Sequence, residues 1–89
     1  MLFRLGQVVA TPAALHALES KRLDPRVLLG RHQVGDWGDV PPEDRRENDL
    51  SVDEGFRILS SYELGETQRV WIITEADRSI TTILLPDEY

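Results

Sequence analysis

The sequence predicts an α+β domain: an N-terminal strand, three short helices, then an antiparallel three-stranded meander, with four strands in one sheet. Three observations carry this prediction. Thr11-Pro12 and Asp24-Pro25 both read as an N-cap followed by proline in the first helical turn. After Gly55 the hydrophobic period changes from helical to strand-like, with the β-rich run Val70-Trp71-Ile72-Ile73-Thr74 at its centre. Finally, 89 residues without a repeat, a low-complexity tract or a long linker make one domain.

Each element has a local reason. Leu2–Ala10 has strand character, although both faces are partly apolar. The first helix starts at Pro12, places Ala14, Leu15 and Leu18 on one face, and ends near Lys21 or Arg22, where bases suit the negative end of the dipole. The second starts at Pro25 and turns Val27, Leu28 and Leu29 inward, with Gly30 or Gly35 to end it. Trp37 to Pro42 is a loop. The third helix runs from Pro42 to Glu54 with Gly55 beyond it, and its only apolar residues are Leu50 and Val52, so it lies on the surface. Phe56–Glu63, Arg69–Glu75 and Ser79–Leu85 are strands. Leu64–Thr67 forms a hairpin connection, Ala76–Arg78 a turn, and Pro86 stops the last strand. The middle strand is apolar on both faces, so one face meets the helices and the other meets something else.

Composition excludes several classes of function. With no cysteine, disulfides and thiolate zinc sites are ruled out. The N-terminus lacks a basic segment followed by an apolar run, so no signal peptide is expected, and no stretch approaches the roughly 20 apolar residues of a membrane span. A cytoplasmic placement without membrane contact is the expectation. Walker, dinucleotide, His-Glu-x-x-His and nucleophile-elbow motifs are missing, and no cofactor is expected. The net charge of −6 is localised. Residues 36–54 hold eight acids and two arginines, a local net of −6, whereas residues 1–35 sum to +3 and residues 55–89 to −3. Such a field favours a basic protein partner and disfavours a phosphate backbone, so direct nucleic-acid binding is not expected.

Four groups of residues are candidates for chemistry or contact. His32 follows a helix and precedes a glycine-rich segment. It reads as a general acid or base, or as a surface or capping histidine. His16 reads as surface. Asp36 and Asp39 flank Trp37-Gly38; with His32 they offer oxygen and imidazole ligands to a divalent metal, but turn formation explains the same residues, with Trp37 as a plug anchoring the loop, and no metal is expected. The turn Glu75–Ser79 presents Arg78 and Ser79, with Thr74 and Thr82 projecting toward the same edge, as a phosphate or oxyanion grip, or else as a polar hairpin with Arg78 paired to Asp77 or Glu75. The acidic helix is a solvated face or a partner-binding surface. Asp53 and Glu54 sit at the unfavourable end of its dipole.

Arg31-His32-x-x-Gly35-Asp36-Trp37-Gly38-Asp39, then Asp44 and Asn48, then Trp71-Ile72-Ile73-Thr74-Glu75-Ala76-Asp77-Arg78-Ser79-x-Thr81-Thr82-x-Leu84-Leu85-Pro86-x-x-Tyr89, resembles a family of small bacterial proteins described as plasmid-related. Some members carry the label type I restriction endonuclease subunit M, which 89 residues without a methyl-donor-binding glycine motif do not fit. The resemblance implies a bacterial mobile-element context and carries over no catalytic residue. A weaker similarity, to the barnase-like ribonuclease superfamily, implies roles for His32, Arg78, Ser79 and Thr82.

Two functions are therefore expected in competition. The first is a small acidic accessory protein that binds a basic surface on a nucleic-acid-handling protein, a defence or restriction component among the candidates. Its contact residues are Asp36, Trp37, Asp39, Asp44, Glu47 and Asn48, with Trp37 as aromatic anchor. The second is a metal-independent ribonuclease with His32 as acid or base, Arg78 stabilising charge, and Ser79 or Thr82 positioning phosphate. It requires His32 and Arg78 to converge on one substrate. A homodimer through the sheet face around Trp71 and Ile73 is the third expectation.

Overall fold

The computed structural model describes residues 1–89. The elements are β1 (Gln7–Ala10), α1 (Pro12–Ser20), α2 (Pro25–Gln33), α3 (Pro42–Glu54), β2 (Ile58–Glu63), β3 (Arg69–Thr74) and β4 (Ile80–Leu84), followed by a 3-10 turn at Pro86–Glu88. The strands form one sheet in the order β1-β4-β3-β2. β2, β3 and β4 are an antiparallel meander, and β1 joins it parallel to β4. The α+β class and its order of elements are those read from the sequence. No helix is long and apolar enough to cross a membrane.

The helix starts follow their local chemistry. The Thr11 hydroxyl accepts from the Ala14 N–H at 3.1 Å, and the Asp24 carboxylate accepts from the Arg26 N–H at 2.9 Å. α3 runs over the predicted residues and closes on Gly55 at positive φ. The predicted inward faces need correction. Ala14, Leu18 and Leu28 are buried as predicted, but Leu15 and Val27 are exposed, and Ala17 is buried on α1 instead of Leu15.

β1 is shorter than the predicted Leu2–Ala10 because Gly6 interrupts it. Gly6 sits at φ +65°, and a Cβ there would lie 2.2 Å from the Ser79 carbonyl oxygen. Only glycine allows this approach of two backbones. The preceding segment instead folds inward, burying Phe3.

Helices α1 and α2 cover one sheet face. Ala14, Ala17, Leu18 and Leu28 pack there on Tyr62, Val70, Ile72 and Ile83. A second cluster joins Phe3, Trp37, Val40 and Ile58 below the β2 end. The opposite face carries Leu59, Trp71, Ile73, Thr82 and Leu84, as strand alternation requires. Its own chain closes over part of it: the Tyr89 ring stands edge-on to Trp71 at 5.7 Å, Arg57 donates to the Tyr89 hydroxyl, and Ile73 is buried.

Candidate functional site

His32 lies at the junction of the two clusters and is 0% exposed. It is neither a surface nor a capping residue. Its ring stands edge-on to Phe3 at 5.1 Å and to Trp37 at 5.9 Å. Nδ1 is 2.6 Å from the Ser60 hydroxyl, and Nε2 is 2.9 Å from the Thr74 hydroxyl. Thr74 in turn meets the Thr81 hydroxyl at 2.8 Å, and Thr81 donates to the Leu5 carbonyl at 2.7 Å. The last acceptor fixes every proton in the chain, because a carbonyl cannot donate. Thr81 gives its proton to Leu5 and so accepts from Thr74. Thr74 then accepts from His32 Nε2–H, leaving Nδ1 to accept from Ser60. Neutral imidazole with its proton on Nε2 is the one state that satisfies all members. Burial, reinforced by the nearby Arg78 charge, pushes the His32 pKa down to about 4.

Both ring nitrogens are thus engaged, and substrate has no route to them. Arg78 does lie close by: its guanidinium is over the Phe3 ring at 5.6 Å, and the imidazole stands edge-on to the same ring. Its guanidinium donates to the carbonyls of Ser51 at 2.7 Å and Phe56 at 2.8 Å, and also to Glu75 and Ala76. It pairs with neither Asp77 nor Glu75 through their carboxylates. Ser79 is exposed and donates to Asp77 at 2.6 Å. Thr82 projects from the sheet face opposite Thr74 and Thr81, because Thr82 pairs with Ile73 and Thr81 with Thr74. The sheet therefore separates Thr82 from His32, and the four residues of the ribonuclease reading do not share a cavity.

The acidic segment divides into engaged and free carboxylates. Asp36 pairs with Arg31 at 2.6 Å and Asp39 with Arg69, each guanidinium holding its carboxyl below the ordinary range. Asp49 accepts from the Trp37 indole at 2.9 Å. Trp37 is 1% exposed, so it anchors its loop and cannot serve as the surface aromatic of the predicted contact. Asn48 is also interior: its amide donates to the Leu59 carbonyl at 2.7 Å and accepts from the Leu59 N–H at 3.2 Å. Asp36 and Asp39 face solvent while His32 is turned into the core, and nowhere do three metal-ligating side chains of the His, Cys, Asp or Glu type converge.

Five carboxylates remain: Glu43, Asp44, Glu47, Asp53 and Glu54. All are exposed on α3, and none makes an ion pair or side-chain hydrogen bond. Between this helix and the chain entering β2 a groove opens. It consists of two adjoining hollows that share Glu47 and Arg57: Asp44, Asn48 and Leu59 line one, and Leu50, Ser51 and Phe56 line the other. Leu50 is 54% exposed and Phe56 58%. The sequence marked the acids but missed Phe56, which reads there as the first residue of a strand. Comparison with known proteins finds no match for this chain among protein families, curated proteins or solved structures.

Proposed function

We propose that this protein is a small acidic accessory protein of bacterial mobile elements, acting by binding a basic surface on a nucleic-acid-handling partner. The sequence resemblance supplies the mobile-element context, and a defence or restriction component is the candidate partner. One observation carries the reading: the five α3 carboxylates are exposed and make no ion pair within their own chain. Unpaired like charges on one helix repel each other, and a basic partner relieves that repulsion while steering encounter. The contact narrows from the residues read in the sequence to Asp44 and Glu47, joined by Glu43, Asp53 and Glu54. Asp36 and Asp39 form its paired rim, and Trp37 and Asn48 support it from inside. The ribonuclease alternative has no geometric support, because His32 is closed off and Thr82 lies across the sheet.

The test is binding to a purified type I restriction complex, with an oligolysine peptide as charge-only probe. Affinity should fall steeply between low and physiological salt. The double substitution Asp44→Lys/Glu47→Lys should weaken binding by about two orders of magnitude, with unchanged thermal unfolding. Unaltered affinity for both probes would sink the proposal.

A further inference from the structure

We propose that the groove between α3 and Phe56–Leu59 receives a large apolar side chain from a basic, amphipathic polypeptide segment. This inference rests on the reading of α3 as the contact surface and specifies what that surface takes. The groove differs from a plain acidic face in two respects. Leu50 and Phe56, the exposed apolar residues at its mouth, both line it together with Glu47. Leu50 is also surrounded by charge on its own helix: Glu47 lies three residues before it, Asp53 three after and Glu54 four after, so all share its face. An apolar side chain entering the groove therefore brings its neighbours, one helical turn away on either side, against carboxylates. Lysine or arginine at those places matches them, and acidic or phosphate-bearing neighbours do not.

The walls are held in place without a ligand. Arg78 donates to Ser51 O on the helix wall and to Phe56 O on the other wall. The Asn48 amide ties the helix to Leu59 between them. Arg57, the cation lining the groove, is drawn aside: it donates to the Tyr89 hydroxyl, and its guanidinium lies over the Tyr89 ring at 5.4 Å. Arg46, four residues before Leu50, has no ion pair and is the single base on that part of the helix face. The carboxylates thus outnumber it. A preformed groove of this kind accepts an amphipathic helix with little reorganisation.

The experiment compares two synthetic peptides of equal length and charge: an amphipathic leucine-lysine helix and an oligolysine mixed with serine. Binding to the intact protein is measured calorimetrically at low salt. The amphipathic peptide should bind about tenfold tighter, since two apolar side chains are removed from water. Leu50→Ser and Phe56→Ser, both at exposed positions and both checked for unchanged thermal unfolding, should each reduce that advantage. Together they should abolish it and leave oligolysine affinity as it was. Equal affinity for the two peptides, or an advantage that survives the double substitution, overturns the groove while leaving the acidic contact standing. Absence of binding by both peptides overturns the groove and the acidic contact together.

Discussion

His32 shows how one buried residue sets the chemistry of the interior. Its two partners lie 28 and 42 residues away in sequence, so no local pattern reveals them. Each hydrogen bond in the chain from Ser60 to Leu5 contributes about 1 kcal/mol, and removing a member leaves buried hydroxyls unpaired at about 1–3 kcal/mol each. No buried side-chain polar atom lacks a partner as the chain stands. The pH dependence follows from the depressed pKa. As pH falls below the ordinary histidine value of 6.5, the unfolded chain takes up a proton that the folded chain refuses until about pH 4. Stability is therefore complete above that ordinary value and is lost across this window, at about 1.4 kcal/mol per pH unit and roughly 3 kcal/mol in all. Chemical denaturation measured from pH 7 to pH 4 should show this slope, and His32→Gln should flatten it. Nitrogen NMR shifts should place the proton on Nε2. A His32 that titrates near 6.5 in the folded protein would contradict the buried network.

At the scale of elements, α3 is a helix whose own sequence gives it little to hold it down. Its buried residues are Asn48 and Ser51, and its apolar Leu50 faces water. Val52 packs, partly buried, on the Phe3–Trp37 cluster, and two polar tertiary contacts add to this small apolar face. The Asn48 amide pairs with both backbone groups of Leu59, as a strand neighbour would, and Gly38 and its neighbours continue that cover by bonding Ser61. The outer edge of β2 is thereby protected from strand addition. Gly38 is required there: at φ +75° it comes so near the edge that a Cβ would lie 2.1 Å from the Ser61 carbonyl oxygen. The second contact answers the unfavourable placement of Asp53 and Glu54. Arg78, delivered by the turn between β3 and β4, donates to the Ser51 carbonyl in the last helical turn and supplies the cation the helix lacks. Asn48→Ala should cost about 2–4 kcal/mol, because it leaves the Leu59 N–H and C=O unpaired under the helix. Faster amide exchange at Leu59 and across α3 checks the mechanism, and a loss under about 0.5 kcal/mol would mean the bridge is ornamental. Asp53→Asn/Glu54→Gln should move the other way and stabilise by a few tenths of a kcal/mol.

Across the whole molecule, charge is sorted by position. Helix α3 holds six acids and two arginines beside β2, while β1 (Gln7–Ala10), at the other edge, contains no acid at all. β2 and β1 are the two sheet edges, so about three strand spacings, on the order of 15 Å, separate the acidic helix from that acid-free strand. This layout makes salt act in opposite directions on folding and on binding. Screening relieves repulsion among the α3 carboxylates, so the midpoint of thermal unfolding should rise by a few degrees between low and moderate salt. The same screening should weaken attachment to a basic partner. Measuring both over one salt series separates the acidic contact from an apolar one, for which binding would hold steady or strengthen.

The sequence by itself determined the elements and the charge. Thr11-Pro12 and Asp24-Pro25 start helices because an N-cap oxygen and a fixed φ act within one turn. Gly55 ends α3 for an equally local reason, and the three β-rich runs pair as a meander because their connections are short. The acidity of residues 36–54 needed no structure to be seen. The tertiary structure decided what those residues do, since that depends on contacts far apart in the chain. It turned His32 inward onto Ser60 and Thr74, engaged Arg78 with four carbonyls, placed Thr82 behind the sheet, and buried Trp37 and Asn48. It also brought Phe56 beside Leu50. A side chain is available for chemistry or contact only after the fold has met its hydrogen-bonding and burial demands, and those demands are set by neighbours that sequence spacing does not show.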